Sequence, residues 1–152
     1  MKKFLKGINF KKILKADKDK FNSIFFLYIN EITKKTNVKK NYFLSLKKKK
    51  IKIFWIKKNN TLIGFFALYL NKFTNPLLNN IYIRDFYIKK KHRGKNIGFF
   101  TVEEISIIYS KKKFFKIKIH ILNKNLKIKS FWKKLGFKKQ KTMYIKKIND
   151  SN

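Results

Sequence analysis

The feature that most constrains this fold is an apolar strand that runs through a basic, glycine-containing loop into a helix. Ile81 to Lys89 is mostly apolar on both faces, as expected of a strand in the middle of a sheet. The loop Lys89-Lys90-Lys91-His92-Arg93-Gly94-Lys95-Asn96-Ile97-Gly98 follows, and Ile97 to Lys111 has the apolar spacing of a helix. This order predicts an α/β fold with a central sheet.

The loop has the composition of an anion-binding site. At the start of a helix, free backbone N–H groups and the positive end of the helix dipole point at one spot. Gly94 and Gly98 allow close approach, and Asn96 is the non-glycine residue that best tolerates positive φ. Arg93 and Lys95 add charge. A pyrophosphate would satisfy these donors, whereas an ordinary strand-to-helix turn, which needs one glycine at most, is the alternative.

The rest of the chain alternates strands and helices, and no Pro-, Gly- or Ser-rich linker divides it. The predicted elements are a strand at 8–14, a helix with Asp17 as N-cap, a short helix within 42–50, a hairpin of strands 51–56 and 62–70, a strand at 117–121, a helix from Asn125 to a stop at Gly136, and a closing strand at 143–148. We predict one domain over residues 1–148, followed by a polar tail at 149–152.

The formal net charge of +34 suggests a nucleic-acid partner, because clustered basic residues neutralise phosphates. However, 39 of the 41 basic residues are lysines spread along the whole chain, and Lys, Ile, Phe and Asn together make up 94 of 152 residues. All four have codons built mainly from A and T. Base bias therefore explains the charge better than a dedicated function, and we expect only non-specific nucleic-acid affinity.

The rarity of some residue types excludes several kinds of site. The chain has no cysteine and only two histidines, so neither disulfides nor a thiolate or histidine-rich metal site is expected. Lysines interrupt the N-terminal segment, so it lacks the continuous apolar stretch of a secretory signal. The longest apolar stretch, around 63–70, is too short to span a bilayer. We expect a cytoplasmic protein without a metal or a membrane partner.

Three segments resemble the GNAT N-acetyltransferase superfamily. In this family an Arg/Gln-x-x-Gly-x-Gly/Ala loop after strand four binds the pyrophosphate of coenzyme A. Arg93 and Gly98 match it, and Asn96 replaces its first glycine. Residues 81–88 are similar to strand four of diamine (spermidine/spermine-type) acetyltransferases. Residues 125–137 resemble the closing Asn-x-x-Ala-x-x-Phe-Tyr-x-x-x-Gly-Phe segment, and 63–65 resemble the entry to strand three.

This resemblance implies a mixed, mostly antiparallel sheet flanked by helices and split between strands four and five. It also implies an N-acetyltransferase in which an amine of a small molecule or a peptide attacks acetyl-CoA directly, and relatives often form homodimers. The residues implied in coenzyme binding are Phe86, Tyr87 and Ile88 on strand four, Arg93, Gly94, Lys95, Asn96, Ile97, Gly98 and Phe99 in the loop, and Asn125 and Ile128 at the last helix.

The proton-handling residues depart from the family pattern. Trp132 stands where a tyrosine often protonates the leaving thiolate, and an indole N–H does not readily release its proton. Where the diamine-type enzymes carry two acidic residues, this chain has Arg84 and Asp85, which strand alternation places on opposite faces. Asp85 is a candidate base or orienting group, and His120 is a candidate base through water.

These departures leave two alternatives to an active acetyltransferase. One is a coenzyme A-binding protein of the same fold that has lost catalysis, which Arg84 and Trp132 motivate. The other is a basic, RNA-associated protein on the same scaffold, which the net charge motivates.

Overall fold

The computed structural model of this chain describes residues 7–33, 41–121 and 126–139. They fall into two compact units, and the chain passes from the first to the second between His120 and Ile121. The first unit holds a five-stranded sheet and three α-helices, and the second holds one. The predicted strand at 143–148, the cap at Asn125 and the tail at 149–152 lie outside the described residues. The single domain over 1–148 stays a prediction.

The strands of the sheet follow one another in the order of the chain. Neighbouring strands are antiparallel except for the last pair, which is parallel. The strands are β1 (Ile8–Lys12), β2 (Lys52–Lys58), β3 (Thr61–Asn71), β4 (Asn80–Ile88) and β5 (Lys116–Ile119). A parallel pair needs a crossover connection, and α3 (Ile97–Ser110) provides it between β4 and β5. The mixed, mostly antiparallel sheet confirms the predicted fold class.

The hairpin between β2 and β3 forms as the sequence predicts. Its two turn residues, Asn59 and Asn60, have φ of +46° and +64°. A two-residue turn with both central residues at positive φ matches the right-handed twist of the flanking strands, and asparagine adopts this conformation at low cost. The turn therefore sets the first pairs of the hairpin, Lys58 with Thr61 and Lys57 with Leu62, before a bulge shifts the register.

Aromatic side chains form the core on the face of the sheet covered by α1 (Lys18–Thr33) and α2 (Tyr42–Lys48). The fully buried Phe21 lies at the centre of this core, with its ring centroid 5.4 Å from Phe25 and 5.8 Å from Trp55. Burying side chains of this size contributes about 1.5–3 kcal/mol each. The opposite face meets α3, because Phe66 of β3 lines a cleft with Ile105 and Tyr109.

The prediction of Asp17 as N-cap of the first long helix is wrong. Residues Lys15–Asp17 form a short 3-10 turn, and α1 begins at Lys18. The Asp17 carboxylate instead accepts a hydrogen bond of 3.0 Å from the backbone N–H of Leu14. The acidic side chain thus stabilises the preceding turn, which feeds directly into the helix.

The second unit contains α4 (Leu126–Lys134). The stop of this helix lies at Gly136, as the sequence predicts. Gly136 has φ of +83°, and its N–H donates to the carbonyl of Lys133 at 3.0 Å. The N–H of Phe137 donates to the carbonyl of Trp132 at 3.1 Å. These two bonds form a Schellman motif, in which a left-handed glycine satisfies the last carbonyls of a helix. Among the described helices of both units, none has the length and apolar composition needed to cross a bilayer.

Candidate active site

Half of strand β4 has one open backbone edge. Its pairing with β5 covers Asn80 to Ile83, opposite Lys116 to Ile119. On the other side, β3 pairs with β4 as far as Ile88. Within the part of the chain that the structure describes, no strand pairs with 84–88 on the β5 side. This is the predicted split between strands four and five, and it is an edge at which an extended ligand can lie beside β4.

A β-bulge at Arg84 reorients the strand at this point. Ile83 lies opposite Leu68 and Asp85 lies opposite Ala67, so Arg84 is an extra residue on β4. The expectation that Arg84 and Asp85 lie on opposite faces assumed regular alternation, which the bulge interrupts. Nη1 of Arg84 lies 3.8 Å from Oδ2 of Asp85. Since Ala67 belongs to the aromatic core, the bulge turns Asp85 toward α1.

Asp85 is a buried carboxylate with one satisfied oxygen. Its residue surface is 8% exposed, and Oδ1 accepts a hydrogen bond of 3.3 Å from the Tyr28 hydroxyl. Oδ2 is buried without a hydrogen-bond partner among the described residues. Burial raises the pKa of Asp85, and the Arg84 charge and the Tyr28 hydrogen bond oppose that rise in part. A carboxylate of this kind accepts a proton more readily than an exposed one.

Tyr28 lies on the face of α1 that packs against the aromatic core. Its ring packs in the core, 5.4 Å from Phe65 and 5.5 Å from Tyr87. Its hydroxyl, however, reaches β4. Burial, and then the Asp85 carboxylate, raise the pKa of Tyr28 well above its usual range, so the phenol stays protonated and acts as a donor. In the sequence, the signal for this role is a tyrosine among the Phe and Ile residues of the apolar helix face.

The side chain of Arg93 joins the loop to both β4 and α1. Its Nε donates to the carbonyl of Ile88 at 2.8 Å, and its Nη1 lies 2.7 Å from Oε1 of Glu31. The guanidinium also lies over the Tyr87 ring, 5.6 Å from its centroid. Sequence reasoning did not single out Glu31, which lies three residues after Tyr28 and so on the same face of α1. Arg93 therefore holds the start of the loop at the end of β4.

The loop ends in a left-handed residue and an uncapped helix. Gly94 has φ of +75° and Asn96 has φ of +55°, which confirms the positive φ expected at Asn96. Asn96 is the N-cap of α3, but its side chain makes no capping hydrogen bond. The first backbone N–H groups of a helix have no intrahelical acceptor, so those of Ile97, Gly98 and Phe99 are available to a ligand. The first turn of α3 contains no acidic residue.

Lysine side chains crowd together around the loop, beyond the Arg93–Glu31 pair. Burial, together with the charges of Lys91 and Lys20, lowers the pKa of Lys89. Desolvation and several neighbouring lysines also lower the pKa of His92, whose Nε2 is buried without a hydrogen-bond partner in the described chain. Cations that depress one another's pKa values favour binding of an anion.

The structure brings most of the predicted site residues together in the first unit. Phe86, Tyr87 and Ile88 lie on the open half of β4, directly before the segment Arg93–Phe99. His120 is exposed just after β5. Ile128 and Trp132 lie on α4 in the second unit, where the Trp132 ring packs against Phe131 and Phe137. Asn125 lies outside the described residues. Within the described ranges, no group of three His, Asp or Glu side chains is placed to hold a metal ion.

Solved structures with the same fold include several acetyltransferases. A possible acetyltransferase from Clostridium difficile 630 matches with a TM-score of 0.74 at 17% identity, over 94% of this chain and 99% of that one. A predicted acetyltransferase from Clostridium acetobutylicum, solved with acetyl-CoA, has a TM-score of 0.69 at 18% identity, over 92% and 96%. The ribosomal-protein-alanine N-acetyltransferase of Brucella melitensis biovar Abortus 2308 has a TM-score of 0.70 at 12% identity, over 93% and 99%.

Sequence comparison gives the family. No curated protein matches this chain. The model of the acetyltransferase (GNAT) family, however, matches residues 15–137, which include the open strand, the basic loop and α4. The chain therefore belongs to the GNAT acetyltransferase family.

Proposed function

We propose that this protein transfers an acetyl group from acetyl-CoA to an amine. The observation that carries the proposal is the position of the basic loop and the uncapped N-terminus of α3 directly after the open half of β4. The basic loop and the helix N-terminus suit phosphates, and the strand edge suits an extended arm that carries amide groups. Acetyl-CoA has both, joined in one molecule.

The residues present fit this co-substrate. The N–H groups of Ile97, Gly98 and Phe99 would receive the pyrophosphate, with Lys89 and Lys95 supplying charge. Gly94 is exposed, and a Cβ added there would meet no atom within 4 Å, so the loop leaves room for a ligand. The edge of β4 at 86–88, where the Ile88 carbonyl already accepts from Arg93 and the Phe86 backbone bonds the Tyr28 hydroxyl, would receive the extended arm along its remaining backbone groups. When bound, acetyl-CoA supplies an activated acetyl thioester.

Asp85 is the residue we propose to handle the acceptor's proton. The acceptor nitrogen forms a bond to the acetyl carbon, the carbon–sulfur bond breaks, and Asp85 takes the proton from nitrogen. Asp85 then passes this proton to solvent and solvent supplies one proton to the leaving thiolate, so the products are the amide and the free thiol. Burial supports this role, because a base works best when its pKa lies near the operating pH and burial raises that of Asp85. Trp132 is not needed as a proton donor in this scheme, and the role of His120 as a base through water stays a prediction.

The acceptor is a primary amine of a small molecule or a peptide. A polycationic diamine is the least favoured acceptor, because the net charge of +34 repels it and Arg84 occupies the place of an acidic residue in the diamine-type pattern. One structural relative is named for acetylating an alanine of a ribosomal protein. A peptide amine on an acidic surface would be attracted rather than repelled. Cytoplasmic location and homodimer formation also remain predictions.

The test is release of free thiol from acetyl-CoA over a panel of amines that includes peptides, amino sugars and diamines. We expect amine-dependent release in the wild type, and at least a tenfold lower kcat in Asp85→Asn. Asp19→Asn, which removes an exposed carboxylate from α1, is the matched control and should behave as wild type. Tight acetyl-CoA binding without turnover on any amine would indicate the non-catalytic alternative. RNA binding that persists at high salt without coenzyme binding would indicate the RNA-associated one.

A further inference from the structure

Tyr28 carries a hydroxyl where packing requires only a ring. Its ring contacts Phe25 at 5.4 Å, Phe65 at 5.4 Å and Tyr87 at 5.5 Å. A phenylalanine would make the same contacts. The hydroxyl adds a hydrogen bond of 3.3 Å to Oδ1 of Asp85 across the boundary between α1 and β4, and it also hydrogen-bonds the backbone of Phe86. A buried polar group that is not required for packing is a candidate for a role in the chemistry.

The surroundings of Asp85 contain few other polar groups. From β3 it faces the fully buried Ala67, and from its own strand the Arg84 guanidinium approaches to 3.8 Å. From α1 it faces Tyr28. Within the described chain, Arg84 and Tyr28 are the charged or titratable groups whose interactions shift the Asp85 carboxyl. Glu31, the other ionisable group on this face of α1, is paired with Arg93.

We propose that Tyr28 is a positioning residue, whose hydroxyl fixes Oδ1 of Asp85 and leaves Oδ2 as the oxygen that takes the proton from the acceptor. This inference rests on the proposed function. A carboxylate held through one oxygen cannot rotate freely, so the other oxygen keeps one direction. Oδ2 makes no hydrogen bond in the described residues, although Nη1 of Arg84 lies 3.8 Å from it, so it keeps lone pairs with which to accept that proton.

Tyr28 is not itself the proton donor to the leaving sulfur. Its pKa is raised by burial and by the Asp85 carboxylate, whereas an ordinary thiol has a pKa of about 8.5. Proton transfer from this phenol to a thiolate would therefore run strongly uphill. Tyr28 acts through Asp85. It therefore does not substitute for the proton-donating tyrosine that relatives often have at the position of Trp132.

The first test compares Tyr28→Phe with Tyr42→Phe. Tyr42 also packs against Phe25, at 4.7 Å, so the control removes a hydroxyl from the same aromatic cluster. We expect Tyr28→Phe to lower kcat about tenfold or more with the KM for acetyl-CoA nearly unchanged, because hydrogen bonds to charged groups are strong. The acid limb of the pH profile should move to higher pH, because the lost bond had favoured the ionised carboxylate. Tyr42→Phe should change neither.

A uniform loss of activity with an unmoved acid limb would overturn the proposal, because it would show a purely structural role. A second measurement is independent of turnover. Carboxyl NMR of the four aspartates, assigned with Asp85→Asn, should show a higher pKa for Asp85 in Tyr28→Phe than in the wild type. An unchanged value would also overturn it.

A third measurement requires no change at Tyr28. In Asp85→Asn, the resonance of the Tyr28 carbon that bears the hydroxyl should shift and that of Tyr42 should not. If the wild type transfers no acetyl group to any amine, the proposed function fails. The two NMR measurements still show whether Tyr28 holds Asp85.

Discussion

Glu31 and Arg93 form an ion pair of 2.7 Å that connects α1 to the start of the basic loop. Because the same guanidinium donates to the carbonyl of Ile88, one side chain joins a helix, a strand end and a loop. The two loop residues at positive φ, Gly94 and Asn96, follow directly. The position of the loop relative to the open strand therefore depends on Arg93.

Replacing Arg93 by lysine should weaken acetyl-CoA binding although it keeps the charge. Lysine lacks the planar fork that contacts Glu31 and the Ile88 carbonyl together, so the loop loses its attachment. We expect the Kd to rise about tenfold in a calorimetric titration, and Arg93→Ala to behave similarly or worse. Lys111→Ala, just beyond the other end of α3, removes one charge and serves as the control. An unchanged Kd in Arg93→Lys would show that charge alone matters.

Asn96→Gly should tighten or preserve coenzyme binding and stabilise the fold relative to Asn96→Ala. At φ of +55° an alanine is strained by about 1 kcal/mol or more, whereas glycine is not. Urea unfolding of the two variants measures this difference. Equal stabilities would mean that the left-handed conformation at this position is not maintained in solution.

Asp85→Asn should make the stability of the protein less dependent on pH. Burial raises the folded-state pKa of Asp85, so between its unfolded value of about 3.9 and its folded value the native state binds more protons than the unfolded state. The free energy of unfolding of the wild type should therefore fall relative to Asp85→Asn as pH rises through this window. Urea unfolding over a pH series checks the sign, and a wild type that gains stability over the variant with rising pH would contradict it.

Gly64→Ala should disturb β4 more than its small volume suggests. A Cβ at Gly64 would overlap the carbonyl oxygen of Tyr87, so β3 and β4 would have to separate beside the proposed coenzyme edge. We expect a loss of about 1–3 kcal/mol in the free energy of unfolding and weaker acetyl-CoA binding. Thermal unfolding with and without acetyl-CoA measures both effects. Wild-type stability would show that the two strands adapt without cost.

Local patterns in the sequence predict much of the fold. Asn59 and Asn60 predict a turn and Gly136 predicts a helix end, because each depends on the conformational preference of the residue itself. The loop from Arg93 to Gly98 is predictable for the same reason, since its glycines and asparagine allow conformations that other residues avoid.

Features that depend on tertiary pairing are not predictable in this way. The bulge at Arg84 arises from the register of β4 against β3, and it interrupts the strand alternation on which the sequence expectation rested. Tyr28 and Glu31 reach the site from α1, more than fifty residues away along the chain. The 3-10 turn at Lys15–Asp17 is also not predictable, because an acidic residue can stabilise either a turn or the start of a helix.

We propose that the basic loop and the open edge of β4 together bind acetyl-CoA. The most direct measurement is a calorimetric titration with acetyl-CoA at moderate salt, with ADP as an anion that lacks the pantetheine arm. We predict a Kd of about micromolar for acetyl-CoA and clearly weaker binding of ADP, because only the former can pair with residues 86–88. Acetyl-CoA binding no tighter than about millimolar, or equal to that of ADP, would contradict the claim.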